Sequence, residues 1–208
     1  MLRTSVPLIG ALGLMNKSPQ KLRRRQERHF SAHNTYLRIA KLELDKCIAK
    51  QPGWMNSAFI SITFSSLAIE AICNAVGDRV MSNWKDYERE SPLDKIEILT
   101  KHLGLSHSWA KEPWKTVKWL SNLRNDLAHP KPERVSTDKI IIAGPKSDEK
   151  AEAPDSKLEK QITVGKARSA YKSVDALKIL LCEKVPPEDS LGLFSDAWTT
   201  STQIHHEA

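Results

Sequence analysis

Apolar side chains recur at three- and four-residue intervals in five stretches of the sequence, a spacing typical of amphipathic helices that pack on one another. The first stretch begins at Ser18-Pro19, a capping residue followed by a proline in the first turn, and ends at Gln51-Pro52-Gly53. The pattern predicts one long helix, with a basic first half and an apolar stripe at Phe30, Leu37, Leu44 and Ile48.

The second stretch, from about Asn56 to Met81, is apolar on nearly all sides, which is typical of the central helix of a bundle. One narrow polar line crosses it at Thr63, Ser66, Glu70 and Asn74. This line is either the only solvent-facing side of the helix or a functional surface on which Glu70 faces a buried cation or a site.

Three further helices follow. Ser91-Pro92 begins a short third helix that Gly104 ends, and Glu112-Pro113 begins a fourth. The fourth ends near Ala128, because His129 precedes a proline and such a residue avoids the α region. The fifth runs from Thr163 to about Lys184. The sequence therefore predicts an all-α, up-down bundle of about five helices.

The remaining segments are expected to lie outside the bundle. We predict a flexible apolar N-terminus at residues 1–17, a helical domain at 18–185 with an exposed polar insertion at 131–161, and a C-terminal tail at 186–208. The apolar run from Val6 to Met15 is too short to span a bilayer and lacks a clear cleavage site after it. The apolar residues of the tail can dock on this chain or on a partner; they are Leu191, Leu193, Phe194 and Trp198.

Positive charge is concentrated near the start of the chain. Residues 1–52 hold 11 Lys and Arg against 3 Asp and Glu, whereas the rest of the chain is nearly balanced. The densest cluster contains Arg23, Arg24, Arg25 and Arg28. Such a cluster is either a surface that binds RNA phosphates or an anionic membrane, or the solvated face of a helix.

Cysteine and histidine spacing gives no sign of a metal or cofactor site. Cys47, Cys73 and Cys182 lie singly in apolar stretches and are expected to be buried thiols of a reducing, cytoplasmic compartment. His29 and His33 stand four residues apart on the predicted first helix, a spacing that suits zinc, but no neighbouring group completes a site. We therefore predict a protein that uses neither metal nor cofactor.

Chemical interest centres on the end of the fourth helix. Arg124 falls on the apolar inner face of that helix, where a guanidinium is costly unless it is paired or faces water. It is therefore either ion-paired with Glu70 or lines a cleft that receives an anion. His129 follows at the helix break and can transfer a proton near neutral pH, while Asn125 lies on its side of the helix.

The order of these features resembles the HEPN superfamily, most closely its stand-alone bacterial helical proteins. The resemblance covers about residues 30–185 and rests chiefly on Arg124, Asn125 and His129, which match the family's arginine, following polar residue and histidine. It also includes a central helix that carries Ser66, Glu70 and Asn74, then Trp84, the run from Ser91 to Lys95, and RNDLAHPKP after a proline-started helix. The insertion after Pro130 and the basic segment before Phe30 lie outside it.

The resemblance implies a metal-independent endoribonuclease in which a homodimer brings two motifs into one cleft. It also implies a toxin–antitoxin or antiviral defence setting, with an antitoxin or operon-encoded partner protein. Arg124, Asn125 and His129 would be catalytic, and Glu70 and Asn74 would support them. Family members without activity serve as nucleotide-binding or assembly domains, so a non-catalytic dimerisation or partner-binding module is the alternative. A third interpretation is an RNA or membrane-surface binder with an incidental motif.

Overall fold

The computed structural model describes residues 22–137 and 153–204. Five α-helices dominate these residues: α1 (Ala32–Ile48), α2 (Trp54–Val80), α3 (Pro92–His102), α4 (Trp114–Ala128) and α5 (Val164–Cys182). Two strands, β1 (Leu22–His29) and β2 (Ala197–Ile204), form a small sheet. The prediction of an all-α bundle of about five helices is confirmed.

The described residues divide into two compact units. The smaller unit holds the two strands up to Arg28 and from Trp198, and the larger runs from His29 to Ala197. All five helices belong to the larger unit. Val6–Met15 and the apolar run at residues 140–142 of the insertion lie outside the described residues.

Local sequence signals set the helix ends. Ser91 accepts a hydrogen bond from the backbone N–H of Asp94, and Thr163 accepts one from the N–H of Lys166, so both residues cap the helices that they were predicted to begin. Gly104, with φ of +64°, follows α3 in a left-handed conformation that glycine adopts without strain. These predicted helix boundaries are therefore confirmed to within about two residues.

α2 is the centre of the bundle and contacts each of the other four helices. Its buried side chains lie on most of its circumference, as its all-round apolar sequence predicted. Among the described residues, α2 is also the one helix long and apolar enough to cross a membrane, but half of that stretch is buried inside the protein. This burial is typical of a core helix.

The turn after α2 folds the indole of Trp84 onto the helix at Gly77. Trp84 is almost fully buried, and a Cβ atom added at Gly77 would lie 2.2 Å from Cδ2 of the indole. No side chain, however small, fits between the helix backbone and this ring. Gly77 is therefore required by the close approach of Trp84.

Gly77→Ala is expected to lower the free energy of unfolding by about 1–3 kcal/mol, because the indole must shift within a packed core. The matched control is Gly165→Ala on α5, where the nearest atom to an added Cβ is 3.9 Å away. Alanine there should be neutral or stabilise the helix by up to about 1 kcal/mol. Chemical denaturation of the three proteins measures the difference, and equal stabilities would contradict the packing argument.

The prediction of one helix from Ser18 to Gln51 is wrong over residues 22–31. Residues 22–29 form β1, and α1 begins only at Ala32. Residues 18–21 lie outside the described residues. The segment is rich in helix-forming residues, but its partner is β2, where the side chain of Thr200 accepts a hydrogen bond from Gln26. Pairing with a distant strand therefore overrides local propensity.

The two strands run antiparallel. Gln26 within β1 meets Thr200 within β2, whereas His29 at the end of β1 packs against Gly192, which precedes β2. As the residue number increases along β1, the number of the residue that it contacts near β2 decreases, as in antiparallel strands. The C-terminal tail, for which the sequence analysis predicted no strand, therefore contributes one.

Before β2, the chain docks on the bundle through a run that we call the C-terminal segment (residues 189–194). Leu193 is completely buried, so the prediction that an apolar tail residue docks on this chain is confirmed for Leu193, whereas Leu191, Phe194 and Trp198 stay exposed. Four side chains from the helices donate to backbone carbonyls of the segment. These donors are Arg79 to Asp189 and Leu191, Asn34 to Gly192, His33 to Leu193 and Lys178 to Phe194.

His33 is the most buried of these donors. Its Nε2–H donates to the Leu193 carbonyl oxygen at 2.6 Å, which leaves Nδ1 buried without a partner among the described residues. Burial lowers the pKa of His33, and nearby Lys178 and Arg79 lower it further, against the raising effect of the hydrogen bond to Leu193 and of Asp196. His33 is therefore neutral in the folded protein at neutral pH.

Because the pKa of His33 is lower in the folded state than its ordinary value of 6.5, the unfolded chain binds the proton more readily. The stabilisation from neutral His33 is complete above pH 6.5 and is lost as the pH falls below it. We expect the free energy of unfolding to decrease over this acid range, and His33→Gln to remove part of that dependence. His102→Gln, at an exposed histidine, is the control; an unchanged slope for His33→Gln would contradict the prediction.

Candidate functional site

Arg124, Glu70 and Lys95 form a cluster of three charges between α4, α2 and α3. Glu70 Oε2 lies 2.9 Å from Nη2 of Arg124, and Glu70 Oε1 lies 3.1 Å from Nζ of Lys95. The Lys95 side chain is 0% exposed, against 29% for Glu70 and 36% for Arg124. The ion pair between Arg124 and Glu70, one of the two predicted alternatives, is present.

Both interpretations of Arg124 and Glu70 hold in part. Glu70 faces a buried cation, as its functional interpretation proposed, and that cation is Lys95. The polar line on α2 is not simply a solvent face, because Ser66 is 2% exposed and the hydroxyl oxygen of Thr63 is buried. Arg124, although paired, also borders an open groove.

Local structure explains why Lys95 is buried. Ser91 caps the start of α3, and Pro92 occupies its first turn, so the helix begins at a defined residue and Lys95 falls in its first turns. Lys95 lies on the same side as Ile96 and Leu99, which are completely buried. A charged amine on this apolar face needs an anionic partner, and Glu70 supplies it.

The charges of the cluster do not cancel. Two cations and one carboxylate leave a formal charge of one positive unit. Lys95 is fully buried and Arg124 is the most exposed member, so the Arg124 guanidinium is the cation of the cluster that reaches solvent, in a groove that Asp78 and Glu88 also line. That group retains N–H donors beyond the one directed at Glu70.

An open groove of about 750 Å³ lies beside the cluster. Its walls are formed by residues from the start of α1, from α2, from the turn after α2 and from α4. The charged or amide side chains of these walls are Glu70, Asn74, Asp78, Arg79, Glu88 and Arg124. Arg79 is committed to backbone carbonyls of Ala75, Asp189 and Leu191, so Arg124 is the cation of this wall that remains to bind a ligand.

Asn74 lines the groove one helical turn beyond Glu70. Its Oδ1 is buried and has no hydrogen-bond partner among the described residues, and the same is true of Nε1 of Trp84. The atoms have no accessible surface, so they do not contact a ligand in the groove as it stands. The predicted supporting position of Asn74 next to Glu70 is thus present, without a direct contact to Arg124.

His129 and Asn125 lie at the exposed end of α4. His129 is the residue after the last helical turn, and its backbone N–H donates to the Asn125 carbonyl at 3.0 Å. Within the described part of the chain, its ring makes no hydrogen bond. It lines a second cavity, of about 650 Å³, together with Asp126 and residues of the insertion.

Arg124 and His129 line different cavities, and Asn125 lines neither of these two. In one chain, Arg124 lines the groove beside α2, whereas His129 lines the cavity at the end of α4. Among the described residues, the Asn125 side chain makes no hydrogen bond to the imidazole, although the sequence places it on the same side of the helix.

The four arginines predicted to bind RNA lie on β1 and not on a helix. Arg23, Arg24 and Arg25 line a shallow cavity of about 520 Å³ with Ser201 and Gln203 of β2. All described positions of β1 except His29 are exposed. The basic cluster is thus displayed on a two-stranded ribbon.

The helical spacing on which the zinc alternative depended is not present. His29 ends β1 and His33 lies in the first turn of α1, so the two do not share a helix face. Among residues 22–137 and 153–204, no group of three His, Cys, Asp or Glu is placed to hold a metal ion.

Sequence reasoning missed Lys95 as a member of the site. One signal could have found it: Lys95 precedes Ile96 and stands four residues before Leu99, so it shares their apolar face. The donors to the C-terminal segment had no such signal, because their partners are backbone carbonyls distant in the sequence.

Comparisons with protein-family models, with curated proteins and with solved structures find no match to this chain. The resemblance to the HEPN superfamily therefore depends on the residues and their arrangement alone.

Proposed function

We propose that this protein is a metal-independent endoribonuclease of the HEPN type that acts as a homodimer. The observation that carries the proposal is the charge cluster: Glu70 is shared between the buried Lys95 and Arg124, which leaves N–H donors of the Arg124 guanidinium at the wall of an open groove. A guanidinium in this setting is suited to stabilise the negative charge that develops on phosphate.

His129 supplies the proton transfer in the proposed reaction. It would take the proton of a ribose 2′-OH, whose oxygen then attacks the adjacent phosphorus and displaces the 5′-oxygen. The leaving oxygen takes up a proton from the histidine of a second copy. The products are a 2′,3′-cyclic phosphate and a 5′-OH. Asn125 would orient the imidazole or the phosphate once RNA is bound.

A dimer is part of the proposal because Arg124 and His129 line different cavities of one chain. We place the scissile phosphate at a two-fold interface, where His129 of one copy approaches Arg124 of the other. The arginines of β1 would bind the RNA backbone away from the reacting bond. A cytoplasmic toxin or defence effector, held inactive by an antitoxin or another partner protein, fits such an enzyme.

The direct test is cleavage of single-stranded RNA by the purified protein in excess EDTA. We expect cleavage to continue, because the charge stabilisation comes from Arg124 and not from a cation. RNA methylated at every 2′-oxygen, and DNA of the same sequence, should remain intact because they lack the nucleophile. Loss of cleavage on chelation would contradict the mechanism, as would cleavage of the methylated RNA.

A second candidate is a non-catalytic module that dimerises or binds a nucleotide or partner protein. The ion pair between Arg124 and Glu70 favours it, since a paired arginine needs no substrate. The two candidates differ in one measurement: the module would bind RNA or a nucleotide but leave single-stranded RNA uncut under all conditions, with or without divalent metal.

A further inference from the structure

The sheet of β1 and β2 is small. Its order is β1-β2, so among the described residues β2 has one neighbouring strand and one open edge. Exposed residues fill both faces of the two strands: on β1 every residue before His29 is exposed, and on β2 every residue from Trp198 to Gln203. An isolated two-stranded sheet is at best marginally stable in water, so further pairing would stabilise it.

The two strands differ sharply in chemistry. β1 has the sequence LRRRQERH, with four arginines and one glutamate. β2 has the sequence AWTTSTQI, with no charged residue, no proline and no glycine. Charged side chains protect an edge strand from pairing with another chain, whereas neutral threonine-rich strands of high β-propensity favour it.

We propose that β2 pairs antiparallel with β2 of a second copy of this chain, across a two-fold axis near Thr200 and Ser201. The product is a continuous four-stranded sheet in which the two β2 strands are central and the two β1 strands are outermost. Thr200 and Ser201 lie in the middle of the eight-residue strand, so they fall nearest the axis. This inference goes beyond the proposed function and requires none of its chemistry.

Charge decides which edges meet. Pairing through β1 would place two arginine-rich strands about 5 Å apart, well inside the screening length of about 8 Å at physiological salt. Pairing through β2 places three strand spacings between them, or about 14 Å, where repulsion between exposed charges is largely screened. Threonine and serine side chains that meet across the new ladder add favourable cross-strand contacts.

Single cysteines introduced along β2 test the pairing. The variants are Thr199→Cys, Thr200→Cys, Ser201→Cys and Thr202→Cys in the full chain under mild oxidation. The native thiols do not interfere, because Cys47, Cys73 and Cys182 are buried, and burial raises the pKa of Cys73 to about 12 and that of Cys182 to about 11.

We expect a disulfide-linked dimer whose yield is highest at one position, or at two neighbouring positions, and lower at the others. The reason is that only a residue near the two-fold axis lies close to the same residue of the second chain. Leu42→Cys, at an exposed position on α1, gives the yield from random collision. Yields at all four β2 positions no higher than that of Leu42→Cys would overturn the proposal. That outcome includes the case in which residues 1–21 cover the edge of β2.

Variants with charged residues on β2 distinguish this interface from a dimer formed through the helices. The double variant Thr200→Lys with Ser201→Lys should weaken self-association about tenfold or more, and the corresponding glutamate variant should behave alike. An equimolar mixture of the two should associate as the native protein does, as should the control Thr200→Val with Ser201→Val.

Sedimentation velocity measures each case. If the lysine variant sediments as the native protein does, β2 is not the interface and the proposal fails. RNA cleavage by the native protein is measured in a separate assay. Loss of the sheet interface therefore does not count against the nuclease, and an inactive protein does not count against the interface.

Discussion

Alanine in place of His129 is expected to slow cleavage of single-stranded RNA by about two to four orders of magnitude, the usual contribution of general acid–base catalysis. RNA binding should change little, since the imidazole is exposed at the end of α4 and makes no hydrogen bond within the described residues. Single-turnover cleavage at saturating RNA measures the chemical step, and a binding titration measures affinity. The rate loss should therefore appear in the chemical step alone.

His102→Ala is the matched control for this substitution. His102 is also exposed and also lies at a helix end, where its ring contacts the Val80 carbonyl, but it is remote from the motif. Its removal should leave the cleavage rate within about twofold of the native value. Native-like cleavage by a folded His129→Ala protein would remove the histidine from the mechanism and favour the non-catalytic module.

Glu70→Ala is expected to have the largest effect on stability, a loss of about 3–5 kcal/mol in the free energy of unfolding. The reason is Lys95: its ammonium is completely buried, and Glu70 is its one ion-pair partner among the described residues. Without the carboxylate, the ammonium is left as an uncompensated charge inside the protein. Chemical denaturation followed by circular dichroism measures the loss.

Two companion variants locate the cause. Arg124→Ala should cost less than about 1 kcal/mol, because Arg124 is partly exposed and Glu70 keeps its contact with Lys95. The double variant Glu70→Ala with Lys95→Met should recover much of the lost stability by removing the buried charge. If Glu70→Ala is no less stable than Arg124→Ala, the buried lysine is not what requires the glutamate.

A substitution at Arg124 distinguishes a catalytic role of its guanidinium from a purely structural one. Arg124→Lys keeps a positive charge near Glu70 but loses the planar fork that binds two phosphate oxygens. A protein with native stability and severely reduced cleavage places Arg124 at the phosphate. Equal activity of the lysine variant indicates that the guanidinium serves the ion pair alone.

Sequence periodicity predicted the helices well because helical order is local. The caps at Ser91 and Thr163 and the breaks at Gly104 and Pro130 act on the residues next to them, so a single sequence carries the signal. β1 was predicted as helix because its stability depends on β2: Gln26 and Thr200 are 174 residues apart. No property of residues 22–29 alone indicates that partner.

The candidate site was predictable in part for the same reason. An arginine on an apolar helix face requires a counter-charge or a cleft, and the pattern identified both Glu70 and the helix break at His129. The sharing of Glu70 between two cations was not predictable, since it depends on the angle at which α3 packs on α2. That Arg124 and His129 line different cavities likewise depends on tertiary packing and not on their spacing in the sequence.

The bonds to the C-terminal segment bear on the order in which a nascent chain becomes native. Ribosomes synthesise α1 and α2 early, and the hydroxyl of Ser61 on α2 can then donate to the Ala40 carbonyl of α1. His33, however, receives its acceptor only when Leu193, 160 residues later, has been made. Until then the start of α1 lacks this acceptor and β1 lacks its partner β2, so we expect this region of the nascent chain to be accessible to proteases. Translation that stalls before Leu193 should leave a helical intermediate that proteases cut near residues 29–34.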